Sequence, residues 1–396
     1  MDKNNWNTKK LYELGTFDKG AGISKEDILP QGLPCIRYAE IYTKYDFQAK
    51  EFSSYISAET AKTSKPITQG TLLFAGSGET AEDIGKSVAY MGNSIAYASG
   101  DTILFKFHNS KENVLFYSYY LNTIGRKQLN KLGAGQSIVH IYPKELAKVE
   151  VPCPSAAEQR KIVEVLETWD NAIGLTKRLI EQKELQKKHL MQQLLTGRTR
   201  LKGFTDYWKE TKLGALLEEK SHRNKKLIIT RVLSVTNARG FVLPKEQFAR
   251  NVASEDLSNY KIIQKGEFAY NPSRINVGSI SFLDSFENGI LSPMYVVFNC
   301  SSKISPFYFK HWIKTGEFIS KVSHAAQGSV RSTVDFSSLS TIKIKYPTSL
   351  HEQQAIAKIL SSCDKEIDLL KQKLAKLEEQ KKGLMQVLLT GKVRMI

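Results

Sequence analysis

The sequence of residues 158–200 returns later in the chain, and no other feature restricts its fold as strongly. Glu158-Gln159, Asp170, Lys187-Lys188, Leu190-Met191-Gln192 and Leu194-Leu195-Thr196-Gly197 recur as Glu352-Gln353, Asp364, Lys381-Lys382, Leu384-Met385-Gln386 and Leu388-Leu389-Thr390-Gly391. Every pair is 194 positions apart, without insertion or deletion. A gap-free repeat of helix-forming sequence behind two far less similar stretches predicts two related halves built on an internal two-fold plan.

Each copy reads as one long helix with a heptad seam, because seam positions fall alternately four and three apart. In the first copy, between Ala156 and Thr196, the seam is Ile162, Leu166, Trp169, Ile173, Thr176, Ile180, Lys183, Lys187, Leu190 and Leu194. In the second it is Ile356, Leu360, Cys363, Ile367, Leu370, Leu374, Leu377, Lys381, Leu384 and Leu388. Pro152 and Pro154 precede the first copy and Pro347 the second, while Gly197 and Gly391 follow the last seam residue of each. Proline before and glycine after are the expected helix punctuation. A single such helix would be read as an oligomerisation coiled coil. Two in one chain can satisfy each other, and the long stretch between them predicts an antiparallel pair. Lys187 and Lys381 interrupt the apolar seam at equivalent places, as polar residues that set register do; facing a partner protein is the other reading.

The stretches before the helices are mixed. Thr102–Phe105, Val149–Val151, Tyr295–Phe298 and Ile342–Ile344 have strand character between turn clusters, so an α+β fold is expected for both. They share landmarks: Trp6 with Lys10-Leu11 parallels Trp208 with Lys212-Leu213, Gln69-Gly70-Thr71 parallels Lys265-Gly266-Glu267, and Gly135-Gln136-Ser137 parallels Gln327-Gly328-Ser329. The expected organisation is residues 1–150 as one globular domain, 151–201 as a central repeat helix, 202–346 as a second globular domain and 347–396 as a C-terminal repeat helix. The fold class is α+β, with the two domains separated by the two helices packed as a coiled-coil rod.

With 57 Lys+Arg against 40 Asp+Glu the formal charge is +17, which favours a polyanion such as nucleic acid or an anionic membrane surface. No segment approaches the roughly 18 uninterrupted apolar residues of a spanning helix, and the start, Met1–Trp6, has no signal-like apolar run, so a cytoplasmic protein is expected. Cys35, Cys153, Cys300 and Cys363 form no Cys-x-x-Cys pair and the seven histidines lack zinc-ligand spacing, so neither a disulfide framework nor a metal site is expected. Gly85-Lys86-Ser87 ends like a phosphate-binding loop, but Thr80 stands where that pattern needs glycine. Asn271-Pro272-Ser273-Arg274 is similar to the Asn-Pro-Pro-aromatic motif of adenine methyltransferases, yet lacks its second proline and its aromatic residue. No nucleophile elbow or His-Glu-x-x-His motif is present, so the sequence supports no catalytic residue.

The layout resembles the specificity subunit of type I restriction-modification enzymes over essentially the whole chain. The Pro-rich approach to Glu158-Gln159 with Leu194-Leu195-Thr196-Gly197, and the same elements at Glu352-Gln353 with Leu388-Leu389-Thr390-Gly391, carry that resemblance. It implies two target-recognition domains, each binding one half of a split double-stranded DNA sequence, and helices that act as a ruler and dock two methyltransferase subunits. Restriction and translocase subunits would join through these, in a bacterial or archaeal cytoplasm. No cofactor is expected in this chain; S-adenosylmethionine would belong to the methyltransferase partner, and ATP with Mg to the restriction partner. Because the halves differ, the target should be asymmetric and interrupted. A helix of about 40 residues spans roughly 60 Å, enough to hold half-sites about 34 Å apart. One turn inserted after Ile173 and after Ile367 should alter the gap between half-sites, and truncation after Pro347 should leave two folded globular domains.

Candidate DNA contacts are Arg37, Tyr38, the Gly76-Ser77-Gly78 turn with Ser77, Lys86, Gln136 and Ser137 in the first domain. In the second they are Tyr270, Asn271, Arg274, Asn276, Gln327, Ser329 and Arg331. Basic groups there would anchor phosphates, and the amides and hydroxyls could read base edges; Tyr38 and Tyr270 have core packing as their alternative. The competing function is a non-catalytic scaffold that binds nucleic acid through charge alone.

Overall fold

The computed structural model describes residues 6–80, 83–132, 139–237, 239–243, 256–327 and 333–395. The chain divides into two compact units, Met1–Lys177 with Lys373–Ile396, and Arg178–Gln372. The cut passes through both long helices, Ala156–Leu194 (the central helix) and Leu350–Leu388 (the C-terminal helix). Each unit therefore contains the beginning of one repeat helix and the end of the other.

In the first unit, strand Asn7–Lys10 pairs antiparallel with Glu150–Cys153, which runs straight toward the central helix. A five-stranded sheet follows the order Gly15–Lys19, Thr102–Phe107, Leu72–Ala75, Ser87–Tyr90 and Gln48–Ala49. A four-stranded sheet runs Ser54–Ile56, Leu33–Ile36, Ala96–Ala98 and Lys65–Ile67. Leu72, Phe74, Ile103 and Phe105 from the first sheet meet Leu115, Phe116 and Tyr119 of helix Val114–Asn122, and Ile162 and Leu166 of the central helix complete this core. Met385, Leu388 and Leu389, from the end of the C-terminal helix, lie in the same core.

The second unit repeats the plan. Trp208–Lys212 pairs with Lys343–Pro347, which leads into the C-terminal helix. A four-stranded sheet runs Leu217–Lys220, Val296–Cys300, Phe268–Tyr270 and Ile280–Phe282. Phe268, Phe298, Phe309 and Trp312 form an aromatic centre, closed by Ile356 and Leu360 from the C-terminal helix and by Leu194 and Leu195 from the end of the central one. Gly70 and Gly266, in the paired turns that the sequence comparison noted, have φ of 87° and 92°. Both occupy the left-handed region that only glycine enters without strain, immediately before equivalent strands.

The seam residues are all buried or half-buried, but they do two different jobs. Ile162, Leu166, Ile356 and Leu360 insert into the globular cores. Leu194 and Leu388 do the same, with Leu190 and Leu384 packed against those cores, while Trp169, Ile173 and Ile180 on the central helix and Ile367, Leu370, Leu374 and Leu377 on the C-terminal helix continue the seam along each helix.

Candidate nucleic-acid interface

The doubled motifs act as clamps at the helix ends. Glu158, with a side chain only 4% exposed, accepts from Arg394 Nε at 2.6 Å and Nη2 at 2.8 Å, and from Trp6 Nε1 at 3.1 Å. Bonding to Arg394 holds its carboxyl below the usual carboxylate range, against a smaller opposing effect of burial. In the second unit Glu352 accepts from Arg200 Nε at 2.6 Å and Nη2 at 2.7 Å, and from Trp208 Nε1 at 3.4 Å. Arg200 and Arg394 are themselves 194 positions apart. Gln159 accepts from the Asn113 amide at 2.7 Å and donates to the Pro154 carbonyl at 3.1 Å. Gln353 does the same with the Ser305 amide at 2.6 Å and the Pro347 carbonyl at 2.8 Å. Gly197 and Gly391 have φ of 71° and 69°, and a Cβ on either would press on Trp208 or Trp6 at 3.2 or 3.3 Å. Positive φ and the indole contact together account for glycine at both helix ends.

Within each unit the helix segments run antiparallel, as their ion pairs record. Asp170 pairs with Lys381 and Lys177 with Glu378 in the first unit; Asp364 pairs with Lys187, Glu366 with Lys183 and Glu184 with Lys371 in the second. Lys187 and Lys381, the interruptions in the seam, thus face carboxylates that are also repeat-equivalent. Their surroundings differ. Lys381 Nζ lies 4.3 Å above the ring of Phe47 and 5.1 Å from that of Tyr119, whose hydroxyl donates to Asp170 at 2.5 Å. At the place of Tyr119 the second unit has His311, buried, with Nε2 at 3.0 Å from Ser361 Oγ and Nδ1 at 3.8 Å from Asp364.

The predicted base-reading residues fall into three groups. Asn271, Arg274 and Asn276 share one turn over residues 271–278, in which Arg274 and Asn276 are exposed and Asn271 Oδ1 accepts from the Ser273 amide at 3.0 Å. Gly278 closes it at φ 89°, with the Asn237 side chain packed so closely that a Cβ would meet its Oδ1 at 2.5 Å. The Thr236–Gly240 hairpin therefore abuts the same turn and adds exposed Asn237 and Arg239, which the sequence reading missed. Asn-Ala-Arg-Gly at 237–240 was the available signal, a polar turn ending in glycine.

A second group is tethered. Arg37 lies 3.6 Å from Glu40 at the start of helix Tyr38–Thr43; Tyr38, half-buried, stacks obliquely near Tyr42; Lys86 donates to the Tyr45 carbonyl at 2.7 Å, and burial lowers its ammonium below the ordinary range. For a third group the structure corrects the reading. Ser77 is 3% exposed and bonded to His140 Nδ1 at 2.9 Å, because strand Ser77–Gly78 pairs with Val139–His140. Tyr270 is fully buried against Phe298, since its strand is central in its sheet and its ring faces the core. Neither side chain is placed to meet a duplex. Gln136, Ser137, Ser329, Arg331 and the side chain of Gln327 lie outside the described residues.

Cys35 and Cys300 are pushed up to about 12 by burial, which leaves unreactive thiols. Among the described residues no group of three His, Cys, Asp or Glu is placed to hold a metal ion, and no helix is long and apolar enough to cross a membrane.

Known proteins share this architecture. A putative type I restriction enzyme MjaX specificity subunit from Methanocaldococcus jannaschii is 25% identical, over 98% of this chain and 94% of its own length. The type I restriction enzyme MjaVIII specificity subunit of the same organism is 26% identical, over 71% of this chain and 70% of its own. Among solved structures, the type I restriction-modification S subunit from M. genitalium superposes with a TM-score of 0.63 at 17% identity, covering 98% of this chain and 97% of that one. A chain solved in work on complex assembly and conformational transition of the type I restriction-modification system gives 0.56 at 13%, with 98% of both covered. These two establish the fold. A family model, the type I restriction modification DNA specificity domain, matches twice, at residues 3–185 and 208–379, one match for each repeat. The protein with these exchanged helix ends is therefore a member of the type I restriction-modification DNA specificity family.

Proposed function

We propose that the two units are target-recognition domains, each binding one half of an asymmetric, interrupted DNA sequence, and that the paired helices set the gap and recruit two methyltransferase subunits. Restriction subunits join through those. The chain acts as a non-catalytic address in a bacterial or archaeal cytoplasm, with S-adenosylmethionine used by the methyltransferase partner and ATP with Mg by the restriction partner. The observation that carries this reading is the double family match on two units of one plan whose loops differ. Repeated scaffolding keeps two readers comparable, while divergent loops make them read different letters.

In the second unit the turn at residues 271–278 and the hairpin at 236–240 supply the reading surface. Arg274 and Arg239 reach phosphates or guanine edges, and Asn276 and Asn237 reach adenine edges. The experiment is co-expression with methyltransferase subunits followed by mapping of methylated adenines. A single interrupted sequence is expected, and Arg274→Ala should relax one half-site only, at about 1 to 3 kcal/mol of discrimination. Methyl transfer by the purified chain alone would contradict the reading.

The ruler has its own test. One helical turn inserted directly after Lys177 and one after Lys371 leave every interhelix ion pair of either unit on its own side. The half-site letters should persist while the permitted gap changes.

A further inference from the structure

We infer that a cleft beside Lys187 in the second unit is a docking site for an extended segment of a partner protein that presents a carboxylate followed by an aromatic ring. The unit itself is folded without it, yet the first unit shows what belongs there.

The two main sheets correspond strand for strand: Gly15–Lys19 to Leu217–Lys220, Thr102–Phe107 to Val296–Cys300, Leu72–Ala75 to Phe268–Tyr270, and Ser87–Tyr90 to Ile280–Phe282. The first sheet then has a fifth strand, Gln48–Ala49, parallel to Ser87–Tyr90. In the second, Ile280–Phe282 is the edge strand among the described residues. The extra strand comes with a plug. Phe47 lies 4.6 Å from the Tyr119 ring and beneath Lys381, and its carbonyl accepts from Ser118 Oγ at 2.6 Å and from the Ala89 amide at 2.9 Å. Under this cover Lys381 is 6% exposed.

Among the described residues the second unit keeps the socket and shows no plug. Lys187, Asp364 and His311 stand where Lys381, Asp170 and Tyr119 stand, but no aromatic ring lies over Lys187 among the described residues. Instead there is a cleft of about 570 Å3, walled by Lys187, Met191, Lys314, Asp364, Ile367 and Lys371. The corresponding space in the first unit, bounded by Asp170, Ile173, Gly174 and Lys177, is narrowed to about 270 Å3 by residues 44–48 themselves. Met191 and Ile367 provide an apolar floor. Four lysines, Lys187, Lys188, Lys314 and Lys371, and four carboxylates, Glu184, Glu317, Asp364 and Asp368, line the cleft; among the described residues Lys188 and Lys314 have no ion-pair partner and are the cations that an incoming carboxylate would meet, with Asp368 the one wall carboxylate likewise without one. In the first unit the plug is Asp46-Phe47, the same order of charge and ring. The occupant is a protein segment because in the first unit the ring over Lys381 and the carbonyl that meets Ser118 and Ala89 come from one residue of a continuous stretch of chain, Phe47. Its assignment to a subunit of the same complex rests on the function proposed above.

A labelled peptide copying residues 43–51 tests the site on the full chain by fluorescence anisotropy. Saturable one-to-one binding is expected, with a Kd on the order of 0.1 mM for so short a ligand. Replacing the phenylalanine of the peptide by alanine should weaken it at least tenfold. So should Gly316→Trp in the chain, which plugs the cleft from a position where an added Cβ meets nothing within 4 Å, with unchanged hydrogen exchange of the second unit as the check that the variant is folded. Methyltransferase subunits should displace the peptide. No saturable binding, indifference to Gly316→Trp, or displacement by a short DNA duplex instead would overturn the proposal. Failure of site-selective methylation in the same preparation would count against the proposed function and leave the peptide result standing.

Discussion

Lys381→Met should cost the first unit about 3 kcal/mol, whereas the repeat-equivalent Lys187→Met should cost the second about 1 to 2 kcal/mol. Both lysines pair with an aspartate, so sequence equivalence alone would predict equal losses. Burial separates them: the Lys381 and Asp170 side chains are 7% and 26% exposed, against 16% and 34% for Lys187 and Asp364. Removing one partner of a buried pair costs about 3 to 5 kcal/mol because the other charge is left without compensation, and an exposed pair is worth about 0 to 1 kcal/mol. The first pair lies near the buried limit and the second between the two. Stacking of Lys381 over Phe47 and Tyr119 adds about 1 kcal/mol, with no counterpart over Lys187 among the described residues. The assay is hydrogen exchange of the full chain read by mass spectrometry, which follows each unit separately and uses the other as its control. In the first unit Asp170→Asn combined with Lys381→Met should recover more than half of the loss. Equal losses in the two units, or a strictly additive double variant, would refute the argument that covering by Phe47 sets the difference.

Other consequences are as direct. Burial, partly offset by Asp364, lowers His311 from its ordinary 6.5 to about 4. The unfolded chain then binds a proton that the folded unit refuses, so the second unit should lose stability as the pH falls from about 6.5 towards 4. Urea denaturation at several pH values checks this, and His311→Tyr, which copies the first unit, should flatten the slope above pH 4.5. Truncation after Pro347 should unfold both units, not spare them: the first loses Met385, Leu388 and Leu389 and the Arg394 clamp, the second loses Ile356 and Leu360. Each of these apolar side chains contributes about 2 to 5 kcal/mol against a typical domain stability of about 5 to 15 kcal/mol, and limited proteolysis should find no resistant fragment. Arg200→Ala should leave the 0%-exposed Glu352 side chain with Trp208 as its remaining side-chain partner among the described residues, a loss of about 2 to 3 kcal/mol confined to the second unit and visible in the same exchange experiment.

The repeat, the helix limits and the seam could be read from the sequence because they are local properties. Heptad spacing, proline before and glycine after act within a few residues, so the central helix was expected at Ala156–Thr196 and is found at Ala156–Leu194. The family resemblance could be read for the same reason, since Glu158-Gln159 and Leu194–Gly197 are contiguous strings that occur twice. Which string meets which was decided only by tertiary structure. Periodicity says that a helix has a seam and does not say that its last turn completes the core of the other repeat, nor that Arg394 returns to Glu158. The candidate contacts divide on the same ground. Arg274 and Asn276 sit on a glycine-closed turn and are exposed, while Ser77 and Tyr270 have similar turn and aromatic signals but belong to paired strands whose inward faces are full. Whether a strand's face is inward depends on the neighbour that covers it, and that neighbour lies far away in sequence. The unequal cover of Lys187 and Lys381 is of this kind: two equal letters in equal repeats differ because a loop more than 300 residues from one of them folds over it.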